Sequence, residues 1–496
     1  MLFLVSMEET EEKFDYEELN FKSGLEIHQQ LEAGGKKLFC NCPSFLRSDD
    51  PDYKIERKLH AVAGESGEVD KAAKYQHELG QKFIYEGYNE NNCLIELDES
   101  PPREINSQAL KTALHVALYL NCKILPVSQI MRKTVIDGSN TSGFQRTVLI
   151  AHGGEVDTPQ GKVGIDTICL EEDSARKIST EKDKATFRLD RLGIPLIEIA
   201  TSPDIKTPKQ AKEVALHIGE VLRSCKVKRG IGTIRQDVNV SLGGGNRVEL
   251  KGMQDMKTFI KIIESEVKRQ KELSDSGKPT EEQVRNANQE KLTTEYLRPM
   301  PGAARMYPET DLPLLKISRD FINKAKKTLP KLKSEVQEEL KKQGLNPEMI
   351  KLLLKQNQVE EYKTLLQVYN QPNLIAKMLL VFPKEIASKT NQSIKDIEEK
   401  ISDSFDNILE EIQKGNIQEA DIKTILENLT QGKKFKDAIK IEKLDTSKIE
   451  EKISKIIKEK PGLNPNAYMG LVMKDPSLKG KVDGKTAMEI IKKYAG

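Results

Sequence analysis

Residues 232–251, GTIRQDVNVSLGGGNRVELK, constrain the fold more tightly than any other stretch of this 496-residue chain. Thr233, Arg235, Asp237, Asn239 and Ser241 alternate with mostly apolar residues, and Arg247, Glu249 and Lys251 resume the alternation after a glycine triplet. Successive strand side chains leave on opposite faces, so a period of two predicts a pair of strands, and the glycines supply the reversal. One face of that hairpin then carries Arg235, Asp237, Asn239, Arg247, Glu249 and Lys251. The other, with Ile234, Val238, Val240, Leu242, Val248 and Leu250, packs on a core. A solvated hairpin shows the same alternation. Acidic residues embedded in apolar sequence upstream favour a functional reading.

Glu26 and His28 stand two apart in GLEIH, so both side chains share a strand face. Glu171, Glu172 and Asp173 close the apolar run that ends at Leu170, and Glu198 sits inside PLIEI. A carboxylate in an apolar strand is costly unless it is paired or binds a cation. Several carboxylates with one imidazole suit Mg²⁺ or Mn²⁺. On the residues alone, Glu26, His28, Glu172 and Glu198 are either such ligands or members of structural ion pairs. DGSNTSGF at 137–144 is small, polar and bounded by glycine, so Ser139, Asn140 and Ser142 sit either in a phosphate-facing loop or in an ordinary turn. It is no Walker motif, because GxxxxGK[ST] is absent.

Composition sets the surroundings. Lys and Arg total 79 against 77 Asp and Glu, a net charge of +2, so any RNA contact must come from local clustering. Aromatic residues are 5% of the chain and tryptophan is absent, as expected where a charged helical portion accompanies a more ordinary core. No apolar run approaches the roughly 18 residues of a membrane span, and six cysteines make no disulfide framework; a cytoplasmic location is expected. Cys40 and Cys42 are a suggestive pair with Cys93 as a third ligand. A fourth cannot be found by spacing, so ordinary buried thiols are preferred to zinc.

The expected fold class is α+β: a catalytic domain with a mainly antiparallel sheet, then all-α helical and tail domains. Residues 1–21 read as a solvated tail, 22–317 as the catalytic domain, 318–436 as a helical domain and 437–496 as a tail domain. Helices are predicted over 106–121, over 257–271 and after the capping sequence Thr207-Pro-Lys-Gln210. Residues 272–294 read as a polar linker, and 295–313 as a proline-rich loop carrying specific side chains.

Taken together, GLEIH, DGSNTSGFQRT, ICLEEDSARK, FRLDRLGIPLIEIATSPDI, IRQDVNVSL, VELKGM and RPMPGAARMYPETD resemble the GatB/GatE family of tRNA-dependent amidotransferases, on its archaeal E-type side. The resemblance runs from about Lys22 to the C-terminus and is weakest in the long helical region. It implies that ATP phosphorylates the γ-carboxylate of glutamate misacylated on tRNA(Gln), and that ammonia from a glutaminase partner then displaces phosphate to give Gln-tRNA(Gln). It implies Mg²⁺ at Glu26, His28, Glu172 and Glu198, with Glu172, Glu198 and Arg235 at the reacting centre. The nucleotide would meet Ser139, Asn140, Ser142, Arg235, Asp237, Asn239, Glu249 and Lys251. The partner would be an asparaginase-like glutaminase of GatD type, in a heterodimer or a dimer of heterodimers, with the C-terminal lysines contacting tRNA phosphates. E-type members usually carry an insert similar to part of aspartyl-tRNA synthetase, which here shrinks to a short segment. A B-type enzyme acting on Asp- or Glu-tRNA, a non-catalytic tRNA-binding scaffold and a stand-alone metal-dependent hydrolase are the rival readings.

Overall fold

A computed structural model describes residues 14–60, 67, 69, 71–78, 80–181, 183–243, 245–300, 306–356, 358–440, 446–475, 478, 482 and 484–495. Most of the expected tail, the middle of the glycine triplet and residues 301–305 of RPMPGAARMYPETD lie outside the described residues. The chain divides into two units, Met1–Leu332 and Lys333–Gly496.

The first unit is built on one large sheet whose strands along the main path are β1 (Lys22–Gln30), β2 (Ile130–Thr134), β3 (Phe144–Thr158), β4 (Gly161–Glu172), β5 (Pro195–Thr201), β6 (Ile234–Ser241), β7 (Val248–Lys251), β8 (Gln283–Asn288), β9 (Thr293–Pro299) and β10 (Met306–Pro308). Their spatial order is β9-β8-β7-β6-β1-β5-β4-β3-β2-β10, with Lys123–Ile124 pairing β3 as well. The β6–β7 hairpin forms as its alternation requires, with Val238 opposite Leu250 and Asn239 opposite Glu249. β1 lies antiparallel between β5 and β6, which puts Glu198 and Arg235 on either side of His28 and Asp237 beside Glu26.

Helices α1 (Ser107–Tyr119), α2 (Pro208–Ser224) and α3 (Phe259–Asp275) cover the apolar face. Asn106 caps α1, and Thr207 caps α2 by accepting from Gln210 N, with proline at the first turn. Leu114, Val214 and Ile263 join Ile27, Ile197, Val238 and Leu250 in one buried core. Because strand side chains alternate, packing that face leaves the opposite, polar face of β1, β5 and β6 open.

Two expectations are corrected. Residues 272–294 are no linker: α3 runs on to Asp275, Lys278 N closes it by donating to Leu273 O, and β8 then pairs in parallel with β7. Val284, fully buried, is the anchor of a strand too polar to announce itself. The expected loop at 295–313 likewise begins as β9 and returns to the sheet as β10.

The helical part begins at Lys333 rather than Ser318. Helix α4 (Arg319–Lys327) packs on α1, with Ala325 in the first core and its carbonyl 3.1 Å from His115 Nε2. The second unit has two cores of its own. One gathers Leu353, Tyr362, Leu379, Ile408 and Leu426; the other gathers Ile453, Tyr468, Val472 and Ile491. Helices supply all the regular structure between Lys333 and Ala495 among the described residues.

Candidate active site

The open polar face forms a cavity of about 640 Å³ lined by residues from β1, β2, β4, β5, β6 and β7 and by Ser139 and Asn140. Two groups of three potential metal ligands lie on it. In the first, His28, Glu171 and Glu198 bring a donor atom each to within 4.8 Å of one another. His28 Nε2 is 3.2 Å from Glu198 Oε2, and Lys133 Nζ is 3.3 Å from the same oxygen while also paired with Glu171. Thr147 Oγ1 and Gln145 Nε2 donate to the two oxygens of Glu171, each at 2.9 Å. Glu26, Asp237 and Glu249 form the second group. Lys251 donates to Asp237 at 2.7 Å and lies 2.5 Å from Glu249, and Asn239 Nδ2 donates to Glu26 at 3.3 Å.

Burial and neighbouring charge set Glu26 and Glu171 apart from Glu198. Burial, then the nearby Glu198 and Glu249, pushes the Glu26 carboxyl above its ordinary range. Burial, followed by Glu198, pushes Glu171 up as well. Burial also works to raise Glu198, but the Lys133 ammonium and His28 hold it well below the usual carboxylate range. For His28, burial opposes protonation and the bond to Glu198 outweighs it, so its pKa rises. With Glu198 held ionised while Glu26 and Glu171 are pushed up, the site is short of positive charge, which is what a bound divalent cation would supply.

The structure brings Glu26, His28, Glu198, Arg235, Asp237, Glu249, Lys251, Ser139 and Asn140 to one cavity. Asn239 touches it through Glu26. Ser142 does not line it; its hydroxyl donates to Phe144 O. Glu172 also lies elsewhere, and Glu171 takes the place expected for it. Neighbouring strand residues face opposite ways. Glu172 is turned from the cavity toward Arg146 Nη1 at 3.2 Å, and Arg146 also holds the buried Glu309 at 2.8 Å. Sequence reasoning also missed Lys133 and Asp173. Asp173, 1% exposed, accepts from Arg235 at 2.8 Å and from Gln30 at 2.6 Å and so fixes Arg235 at the rim.

The loop before β3 is seated by its backbone. Gly138 adopts φ +86°, and a side chain there would collide with the rings of Phe83 and Phe187. Tyr85 OH donates to Gly138 O at 2.8 Å, and Ser139 O accepts from Ala175 N at 2.8 Å. Gly138→Ala is expected to cost roughly 2–4 kcal/mol, from strain and overpacking together. Urea unfolding of the first unit would measure it, and a change under about 0.5 kcal/mol would refute this account of the loop.

A third cluster lies outside the cavity. Cys40, Cys42, Cys93 and Glu96 bring their ligand atoms within 4.8 Å of one another. Glu96 offers the fourth potential ligand that spacing could not supply. It accepts from Cys40 Sγ at 2.9 Å and from Cys93 N at 2.8 Å, and pairs with the fully buried Lys37 at 3.1 Å. Hydrogen bonds from Cys40 and Cys42 push the Cys93 thiol far down.

Residues 21–323 match the profile of the GatB/GatE catalytic domain, a span that contains every strand of the large sheet. The chain belongs to the GatB/GatE family. Among GatB/GatE proteins it is 36% identical over 631 aligned residues to the E-type chain of glutamyl-tRNA(Gln) amidotransferase from Methanocaldococcus jannaschii, covering 97% of this chain and 99% of that protein. The corresponding protein of Methanococcus maripaludis is 34% identical, with 95% and 97% covered, and that of Methanosarcina acetivorans 33%, with 97% and 98% covered. An alignment of 631 positions against a chain of 496 residues means that the first relative holds well over a hundred residues absent here. Both proteins are covered almost from end to end, so the difference is internal. No helix of the described residues is long and apolar enough to cross a membrane.

Proposed function

We propose that the chain is the tRNA-amidating component of a glutamyl-tRNA(Gln) amidotransferase, which phosphorylates the γ-carboxylate of Glu-tRNA(Gln) with ATP and replaces the phosphate with ammonia. The observation that carries this reading is the pair of ligand clusters on one face of a single open cavity, with Lys133 between Glu171 and Glu198. In the first step a substrate carboxylate oxygen attacks the γ-phosphorus and ADP leaves. In the second, ammonia adds to the acyl carbon, loses a proton, and inorganic phosphate departs. Neither step needs a covalent enzyme nucleophile; positioning and electrostatic stabilisation suffice.

The donor sets fit Mg²⁺: carboxylate oxygens with one imidazole, partly buried and short of positive charge. Mg²⁺ held by His28, Glu171 and Glu198, or by Glu26, Asp237 and Glu249, would supply positive charge beside the transferring phosphoryl group. Arg235, held by Asp173, orients an anion at the rim, and Ser139 and Asn140 offer polar contacts from the seated loop. Lys133 and Lys251 hold the cavity carboxylates in place. Zinc at the third cluster would be structural, since thiolate sulfur with one carboxylate suits it and the cluster lies apart from the cavity lining.

Ammonia would come from a separate asparaginase-like glutaminase of GatD type in a heteromer, the whole working in the cytoplasm. The Lys-rich helices of the second unit would contact tRNA phosphates. The test uses this chain alone with Glu-tRNA(Gln), MgATP and ammonium. Gln-tRNA(Gln) should form with one ADP per product, whereas glutamine should support the reaction only when the partner is added. ATP turnover indifferent to Glu-tRNA, or tRNA binding with no amidation, would overturn the proposal.

A further inference from the structure

The positive charges around the cavity are not equivalent. Lys133 is engaged by Glu171 and Glu198, Lys251 by Asp237 and Glu249, Arg235 by Asp173, and His28 by Glu198. Arg247 and Arg298 line the same cavity, and neither makes an ion pair among the described residues. Arg247 directs Nε and Nη2 onto the sulfur of Met300 at 3.3 and 3.0 Å, and a thioether is a weak acceptor. Met300 is itself buried, so it holds the guanidinium in place without satisfying it. Among the described residues, the side chain of Arg298 makes one long hydrogen bond, 3.4 Å, to Pro299 O. Two guanidinium groups, with ten N–H donors between them, therefore stand at the β7–β9 end of the cavity with little to donate to.

Their position narrows the ligand. Arg247 precedes Glu249 by two residues, so both leave the same side of the hairpin beside the cluster of Glu26, Asp237 and Glu249. A carboxylate cluster that takes a cation, flanked by unengaged arginines, suits an anion that arrives with its own metal. Polyphosphate oxygens match the guanidinium fork better than they match a lysine. We propose that Arg247 and Arg298 together grip the polyphosphate of the nucleotide, and so set the orientation of ATP along the cavity. This rests on the reading of the cavity as an ATP site, and assigns two phosphate-binding residues that neither the hairpin pattern nor the acidic constellation requires.

The test measures MgATP binding to the full chain, together with KM for ATP, KM for Glu-tRNA and kcat in the ammonium-dependent reaction. Arg247→Ala and Arg298→Ala should each weaken MgATP at least about tenfold, mainly in KM for ATP, with KM for Glu-tRNA changed less than about threefold. The lysine variants should recover part of the loss, since a point charge replaces some of the fork. Inorganic tripolyphosphate should compete with MgATP on the wild type and lose that ability on the double alanine variant. Both side chains are at least partly exposed, so thermal midpoints should stay near that of the wild type. MgATP affinity within twofold of wild type in both alanine variants would overturn the inference. So would a loss confined to Glu-tRNA, which would make these arginines contacts to the tRNA. A wild-type chain that binds no MgATP overturns the reading of the cavity itself, a result distinct from normal binding that the variants leave intact.

Discussion

Glu171→Gln is expected to lower the rate of phosphoryl transfer to Glu-tRNA by at least about a hundredfold, near 2.7 kcal/mol of barrier, far more than its cost of about 1–3 kcal/mol in stability would explain in a chain that stays folded. Its carboxyl faces the cavity with His28 and Glu198, and burial, then Glu198, already favours its protonated form. A neutral amide of the same shape can no longer offer two oxygens to a cation, and Lys133 keeps Glu198 as its partner. The next residue should behave in the opposite way. Glu172→Gln weakens a buried ion pair with Arg146, which retains Glu309, so a loss of about 1–3 kcal/mol in stability is expected with less than a tenfold change in rate. Single-turnover phosphoryl transfer and thermal denaturation on the two variants separate these effects. If Glu172→Gln were the one that lost chemistry at unchanged stability, the assignment of the cavity face would be wrong.

That pair of neighbours also shows how far a sequence can be read. The element positions that mattered were visible: β1 from GLEIH, the β6–β7 hairpin from its alternation, and α1 and α2 from their caps and apolar stripes. Spacing puts Glu26 with His28 on one face of β1 and Asp237 with Glu249 and Lys251 on one face of the hairpin; the strand order of the sheet then joins these faces with Glu198. The phase of β4 was available too. Ile168 and Leu170 are fully buried in the helix-covered core, and Glu172 follows them in steps of two, so Glu171 had to take the other face. Lys133 was hidden for a different reason. IMRKT carries two cations in a row, and only the pairing of β2 with β3, Lys133 opposite Gln145, shows which one reaches the carboxylates. β8 and β9 gave no periodic signal because their stability comes from long-range pairing, with Val284 the sole fully buried apolar residue of the two strands. Glu96 escaped because a carboxylate completing a set of three cysteines has no spacing that marks it in advance.

The cysteine cluster should prove to be as much a part of the site's rigidity as the sheet is. Elemental analysis of the full chain is expected to find one zinc per molecule, and Cys93→Ser is expected to lose it and to cost the first unit at least about 3 kcal/mol. Without a cation, burial favours keeping protons on three of the four groups. Hydrogen bonds donated to Cys42 and Cys93, then burial, raise the Cys40 thiol; Cys42 accepts from Cys40, which lowers it, but the bond it donates to Cys93 and its burial prevail and push it up to about 12. Burial pushes the Glu96 carboxyl up, and the buried Lys37, 3.1 Å away, opposes that shift. A divalent ion removes this frustration by replacing protons with a charge that all four ligands can reach. The cluster also bears on the cavity, because Thr141 Oγ1 donates to the Glu96 carbonyl at 2.6 Å and Asn140 beside it lines the cavity wall. Loss of the metal should therefore weaken MgATP as well, by a smaller margin than the fall in thermal midpoint would suggest, since Tyr85 still holds Gly138. A chain purified under reducing conditions that carries no zinc, and whose Cys93→Ser variant melts where the wild type does, would leave these four residues as ordinary buried groups.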